Sequence, residues 1–224
     1  MLPEEIAAKH PQLYHVTRPG AMKSIRSNGL LSTASLLALL GVPTVQRELI
    51  ESTRRPQSLS IKHPVYGTVR ISDNAPLGED ALAACLDDGL STADWMRMLN
   101  RRVFFWVDEK NLNGHLRASI RRGEECMVLV FDTYSVVSTY YRCVELAAIN
   151  TGSTMRHPAR RGLTTFSPAY RYTYEEWRRL RGGYDRIKEL TIMNGLHDVN
   201  AHMTSCYAFP QADSETKLLT ALTY

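Results

Sequence analysis

Two ionisable side chains stand where a buried strand is normally all apolar. His15 sits inside Leu13-Tyr14-His15-Val16-Thr17, where Thr17 adds a hydroxyl, and Glu189 opens the run Glu189-Leu190-Thr191-Ile192. A histidine can donate or accept a hydrogen bond and can change charge near neutral pH. An ionised carboxylate buried without a partner costs several kcal/mol, so Glu189 is expected either at a wet cleft or in a functional role. The plainer reading is a hydrogen-bonded core histidine and an exposed edge glutamate. Familiar catalytic signatures are missing: the chain has no G-x-G-x-x-G, no Walker loop, no H-E-x-x-H, no G-x-S-x-G and no calcium loop. That argues against a dinucleotide-dependent dehydrogenase, a P-loop NTPase and a zinc hydrolase.

The elements that must position these residues follow from apolar spacing and punctuation. Leu13–Thr17 predicts a strand, closed by the Arg18-Pro19-Gly20 turn signal. Met22 and Ile25 have helical spacing with Gly29 as C-terminal cap, and Ser32 caps a second helix through Leu36, Leu37 and Leu40. A third helix is expected from Thr44 to about Arg54, broken by Arg55-Pro56. Residues 57–77 read as loop with a short strand at Thr68–Ser72. Helices are expected at Gly78–Asp88 and Thr92–Leu99, the latter capped by Ser91, Thr92 or Asp94.

The dense aromatic run Arg102–Val107 reads as a buried strand, and Asp108 caps a helix carrying Leu112, Leu116 and Ile120 that ends at Gly123. Met127–Phe131 and Val144–Ile149 predict further strands. Residues 150–168 form a long polar, basic loop, a length usually tied to function or disorder. A helix at Thr173–Leu180, the Gly182-Gly183 break and strands at Ile187–Met193 and Val199–Tyr207 complete the pattern. Strands interleaved irregularly with helices, with no repeat and no linker, indicate an α+β class and one domain over residues 1–224.

Leu13-Tyr14-His15-Val16-Thr17, then Met22-Lys23-Ser24-Ile25 and Asn28-Gly29-Leu30-Leu31-Ser32, resemble the opening of DarT-type ADP-ribosyltransferases: Tyr-His-x-Thr, a helix, and Gly-Leu-Leu. Val103-Phe104-Phe105-Trp106 is similar to that family's aromatic central strand. Glu189-Leu190-Thr191-Ile192 with Gly195-Leu196-His197-Asp198-Val199 resembles its catalytic-glutamate strand and hairpin. The chain as a whole, over most of residues 10 to 205, also resembles an uncharacterised bacterial family carrying Leu-Asn-x-Arg-Val-Phe-Phe-Trp (Leu99 to Trp106) and Arg-Gly-x-x-Thr-Phe (Arg161 to Phe166).

The resemblance implies split sheets with flanking helices and NAD as a substrate, without a metal. Breaking the nicotinamide–ribose bond passes through an oxocarbenium-like state, which a fixed carboxylate stabilises. By the resemblance this is Glu189, with a site arginine that is Arg55 in preference to Arg47, Arg54 or Arg70. His15 would hydrogen-bond an adenosine ribose hydroxyl, Thr17 or nearby backbone would hold the nicotinamide amide, and the Gly29-Leu30 segment would line the NAD site. Phe105 or Phe104 would stack on the nicotinamide ring. A one-residue register slip exchanges the two, and the family's tyrosine is absent from this strand.

The acceptor implied is nucleic acid (DNA or RNA) or protein, and the sequence does not name a neutralising partner. The alternatives are a non-catalytic nucleotide- or nucleic-acid-binding module and an NAD glycohydrolase. Of 224 residues, 44% are hydrophobic and 22% charged, an ordinary globular make-up. The formal charge of +4 comes with 21 arginines against 6 lysines, and Arg suits bidentate phosphate contacts. A basic rim is expected from Arg156, His157, Arg160, Arg161, Arg178, Arg179, Arg181 and Arg186. Tyr170, Tyr172, Tyr174 and Trp177 are either stacking platforms for bases or the packed face of a helix. With no apolar run near the roughly 20 residues that cross a bilayer and no signal-like start, a cytoplasmic location is expected. Cys85, Cys126, Cys143 and Cys206 are expected as buried free thiols.

Overall fold

Strands buried on both faces make the central layer. The computed structural model describes residues 1–155, 157–180 and 187–210. In chain order its elements begin with α1 (Pro3–Lys9), β1 (Gln12–Thr17), α2 (Met22–Asn28), β2 (Leu30–Leu31), α3 (Thr33–Leu39) and α4 (Thr44–Ser52). A hairpin of β3 (Leu59–His63) and β4 (Gly67–Ile71) follows, then α5 (Glu79–Ala83), α6 (Thr92–Asn100), β5 (Arg102–Trp106) and α7 (Glu109–Arg121). The remainder comprises β6 (Cys126–Asp132), α8 (Thr133–Tyr140), β7 (Val144–Ala147), β8 (Ser167–Pro168), α9 (Tyr174–Leu180), β9 (Glu189–Met193), β10 (Gly195–Leu196), α10 (Val199–His202) and β11 (Met203–Phe209).

The described strands build a seven-stranded sheet in the order β11-β6-β1-β5-β9-β7-β8 and two small sheets, β10-β2 and β3-β4. All strand pairings are antiparallel, so the class is α+β. One face of the large sheet carries Leu13, Val103, Phe105, Leu129, Phe131, Leu146, Leu190 and Ile192, packed with Ile25, Leu30, Val136, Trp177 and Leu196 from the overlying elements. The opposite face packs Tyr14, Val128 and Val130 on Leu112 and Leu116 of α7. Further along, Ala147 and Phe104 meet Leu82, Trp95, Met96 and Phe166. Both faces being buried pins the register.

Local chemistry explains most boundaries. Ser32, Asp108 and Asp132 cap α3, α7 and α8 by accepting N–H bonds from Ser35, Asn111 and Ser135, and Ser91 with Asp94 forms a reciprocal capping box on α6. The segment Thr133–Tyr140, rich in β-branched residues, is helical against its propensity. The Asp132 cap and the complete burial of Val136 and Val137 outweigh that propensity.

Several expectations are corrected. Val199–Tyr207 is not one strand: Val199–His202 turns as α10 before β11 begins. The helix expected at Gly78–Asp88 is confined to Glu79–Ala83, and residues 57–77 contain the β3–β4 hairpin rather than a lone strand. The elements α1, β2, α8 and β10 carry no period long enough to read from sequence. The expected Gly182-Gly183 break lies outside the described residues. All four cysteines are free, but only Cys85 and Cys126 are buried. Among the described residues no helix is long and apolar enough to cross a membrane.

Gly29 ends α2 with φ of 89°, and a Cβ there would come within 2.8 Å of His197 Cα. The β2–β10 ladder thus requires glycine at this position. Gly29→Ala is expected to cost about 2 kcal/mol of stability, since both strain and a clash are introduced. Gly20→Ala, with nothing within 4 Å of the added methyl, is expected to stay within about 0.5 kcal/mol of the parent. Urea denaturation of the two variants measures the difference.

Candidate functional site

His15 lies in β1 with Nδ1 2.9 Å from the main-chain oxygen of Phe104. A carbonyl only accepts, so Nδ1 carries the proton and Nε2 of the neutral ring offers a lone pair. Burial lowers the His15 pKa, against the opposing effect of the Phe104 bond, which keeps the ring neutral at pH 7. The ring lies tilted against Phe105 with centroids 5.8 Å apart. His15 and Thr17 are both half-buried, and two-residue alternation puts them on the face that carries Leu13 and Phe105. Above that face the β2–β10 ladder pairs Leu31 with Gly195 and Leu30 with Leu196.

Glu189 is elsewhere. It pairs with Trp106 across β5 and with Ala147 across β7, and Trp106 pairs with Tyr14. Tyr14, Trp106, Glu189 and Ala147 therefore form one cross-strand row on one face, and His15, the neighbour of Tyr14, points to the other. The expected convergence of His15 and Glu189 is not met, because their sequence positions have opposite parity in the sheet. The Glu189 carboxylate is 4% exposed. It accepts the Thr151 hydroxyl at 2.6 Å and the Thr151 N–H at 3.2 Å. Burial raises its pKa to about 7, outweighing the bonds from Thr151 and the charges of Lys188 and Arg161.

Thr151 belongs to the long loop, and Arg161 stitches that loop together. Its guanidinium donates to the carbonyls of Ala159, Thr151 and Ser153 and sits 5.6 Å from the Trp95 ring centroid. The main chain of Arg161 also bonds Cys85 and Asp87. Thr151 and Arg161 are thus the partners of Glu189 that spacing alone did not link to it. A polar cleft of about 310 Å³ opens beside them, lined by Asp87, Asp88, Arg160, Arg161, Gly162, Thr164 and Thr165.

The remaining expected site residues are also accounted for. Arg55 is a packing residue: its guanidinium donates to Ser72 O, Ile50 O and Asn100 Oδ1. Arg54 donates to Leu77 and Ala75 carbonyls, Arg47 to the Thr44 hydroxyl, and Arg70 is exposed on β4. Parity separates Phe105, on the His15 face, from Phe104, on the Glu189 face. Phe105 is only 1% exposed and edge-on to Phe131, so its ring forms a floor under His15 rather than an open stacking surface. Phe104 packs edge-on against Phe166. Leu30 is buried, and Gly29 serves the close approach to His197.

In the expected basic rim, Arg160 pairs with Asp87 at the open cleft and Arg161 is buried. Arg179 pairs loosely with Glu175 at 3.6 Å. Arg156, Arg181 and Arg186 lie outside the described residues. Trp177 is fully buried, whereas Tyr170 is 45% exposed with the Arg142 guanidinium 5.1 Å above its ring. Among the described residues no group of three His, Cys, Asp or Glu side chains is arranged to hold a metal ion.

A family model for a family of unknown function, DUF7002, matches residues 11–203. The chain belongs to the DUF7002 family. No curated protein matches the DUF7002 chain in sequence. Among solved structures it is similar to Thermosipho africanus DarTG in complex with ADP-ribose, with a TM-score of 0.46 and 12% sequence identity. That comparison covers 95% of this chain and 47% of the other, so the DUF7002 chain spans about half its length.

The buried carboxylate has a pH signature. Below pH about 4.5 Glu189 is neutral in both the folded and the unfolded chain. As pH rises from there through 7, the unfolded chain ionises first, so the folded DUF7002 chain loses up to about 3 kcal/mol relative to it. Glu189→Gln is expected to remove this loss and to flatten the dependence of Tm on pH between 5 and 8, measured by thermal denaturation of both proteins. A parallel fall in both would remove Glu189 as its source.

Proposed function

We propose that the chain binds NAD, or a nucleotide carrying the same ADP-ribose unit, on the His15 face of the sheet. The supporting observation is the fixed tautomer of His15. Its Nδ1 proton is committed to Phe104, which leaves an Nε2 lone pair to accept a hydrogen bond from a ribose hydroxyl. Thr17 on the same strand adds a hydroxyl for an amide or a second sugar oxygen. The Tyr-His-x-Thr and Gly-Leu-Leu resemblance of the sequence points to the same ligand.

Read this way, the molecule is a nucleotide-binding module rather than an enzyme driven by Glu189. The Glu189 carboxylate accepts the N–H and hydroxyl of Thr151 and faces the other side of the sheet from His15, which speaks against its meeting an oxocarbenium ion formed there. The transferase reading, NAD-dependent mono-ADP-ribosyl transfer to nucleic acid or protein, draws on one observation of its own. The strands that carry its three resembling segments, β1, β5 and β9, are immediate neighbours. That reading takes Glu189 as the charge-stabilising carboxylate.

His15→Ala is expected to raise the Kd for NAD about tenfold, the worth of one good hydrogen bond, by isothermal titration calorimetry. An unchanged Kd returns His15 to the core. Incubation of the parent protein with nicotinamide-labelled NAD separates the two readings. The binding module releases no nicotinamide, whereas a transferase or a glycohydrolase does, and only the transferase leaves ADP-ribose on a macromolecule.

A further inference from the structure

The β3–β4 hairpin forms a sheet of its own, and of its strand residues only Ile71 is buried. A two-stranded hairpin is at best marginally stable in water, so this ribbon depends on how its root and tip are held. At the root, the Arg55 N–H donates to the Asn74 side chain, and the Asn74 N–H returns a bond to the Arg55 carbonyl at 2.8 Å. The buried Arg55 guanidinium joins the Ser72 carbonyl to Asn100 of α6, which anchors the ribbon to the body of the molecule. At the tip, Nδ1 of His63 accepts the N–H groups of Val65 at 3.1 Å and Tyr66 at 3.3 Å, and its ring centroid lies 4.8 Å from that of Tyr66. Root and tip together hold the ribbon in one shape before any partner arrives.

Pairing sorts its side chains onto two faces. Ser60 stands opposite Arg70 and Lys62 opposite Thr68, so by the two-residue period these four share a face. All four are exposed. Each can donate a hydrogen bond, two carry positive charge and none is a carboxylate. Leu59, Ile61, Val69 and Ile71 take the other face. Residues 52–72 contain no Asp or Glu, although the chain has 23. Among the described residues Lys62 and Arg70 form no ion pair, whereas Arg97, Arg102 and Arg160 are each matched to a carboxylate. An unpaired face made only of donors is complementary to a polyanion.

Shape then selects the polyanion. Paired strands lie about 4.8 Å apart, and a two-stranded ribbon fits the major groove of B-form DNA, about 12 Å wide. The deep, narrow major groove of A-form RNA does not admit one. The donor face carries no aromatic ring on which an unpaired base could stack, the usual grip on a single strand. We propose that the β3–β4 ribbon is a docking arm for duplex DNA, its Ser60, Lys62, Thr68 and Arg70 face entering the major groove, independently of any nucleotide bound at His15. Lys62 and Arg70 stand on different strands of the ribbon, so each meets the phosphates of one groove wall, while the hydroxyls of Ser60 and Thr68 are free to bond base edges.

The test is fluorescence anisotropy of a short labelled DNA duplex titrated with the full chain. The parent is expected to bind with an affinity that falls steeply as salt is raised, since each phosphate contact releases counterions. The double variant Lys62→Ala, Arg70→Ala is expected to weaken binding about tenfold at low salt and to flatten the slope of log K against log salt by about 0.9 per charge removed. Both positions are exposed, and circular dichroism checks that the variant is folded. Arg121→Ala removes one charge from an exposed position on α7 and is expected to leave affinity and slope near the parental values. A parent that binds no duplex DNA, a double variant with the parental slope, or an equal loss in Arg121→Ala overturns the proposal. So does binding of the matching single strand or of an RNA duplex as tight as that of duplex DNA. Binding to phosphatidylserine vesicles that the same double substitution abolishes, with duplex DNA unbound, overturns it in favour of a membrane surface.

Discussion

The two-residue period of an extended chain, locked by cross-strand register, governs what this molecule can do. Tyr14, Trp106, Glu189 and Ala147 stand opposite one another across β1, β5, β9 and β7, so a single row fixes the orientation of every neighbour. Leu13 and His15 must point one way while Glu189 and Phe104 point the other. The register cannot slip to relieve this, because a shift by one residue would turn Leu190, Ile192 and Phe105 out of one core and polar residues into it. A slip would also carry Glu189 away from Thr151, and an unpartnered buried carboxylate costs several kcal/mol.

On the Glu189 side that constraint makes a carboxylate part of the architecture. A buried charge is tolerated only with partners, and here the partners come from the loop between β7 and β8. Thr151 supplies two donors to the carboxylate, and Arg161 gathers three loop carbonyls while lying over Trp95. Loop, strand and α6 are thereby tied together by polar groups where an apolar core would give way to irregular backbone. The same bonds fix the orientation of the side chain.

On the other side, one histidine nitrogen is committed to Phe104. That bond fixes the ring and leaves a lone pair on the second nitrogen, the feature on which the proposed nucleotide recognition by His15 rests. The chemistry of His15 is set by what binds its other nitrogen, and that partner, Phe104, comes from a distant part of the chain.

Much of the framework was legible in the sequence because its signals are local. The aromatic run at Arg102–Val107, the apolar strand at Met127–Phe131, the caps at Ser32, Ser91 and Asp108, and Gly29 as a helix terminator depend on neighbours within a turn or two. The special status of His15 and Glu189 was legible too, since each is a polar residue in an apolar strand. What those residues face was not. Facing depends on register between strands up to about 170 positions apart, on Thr151 reaching Glu189, and on Asn100 and two carbonyls consuming Arg55. Val199–His202 illustrates the limit: its composition suits a strand, yet in the fold it forms the short helix α10. Sequence thus determined which residues could carry chemistry. The tertiary structure alone decided which of them meet, because side-chain direction in a sheet is inherited from pairing partners that local sequence does not specify.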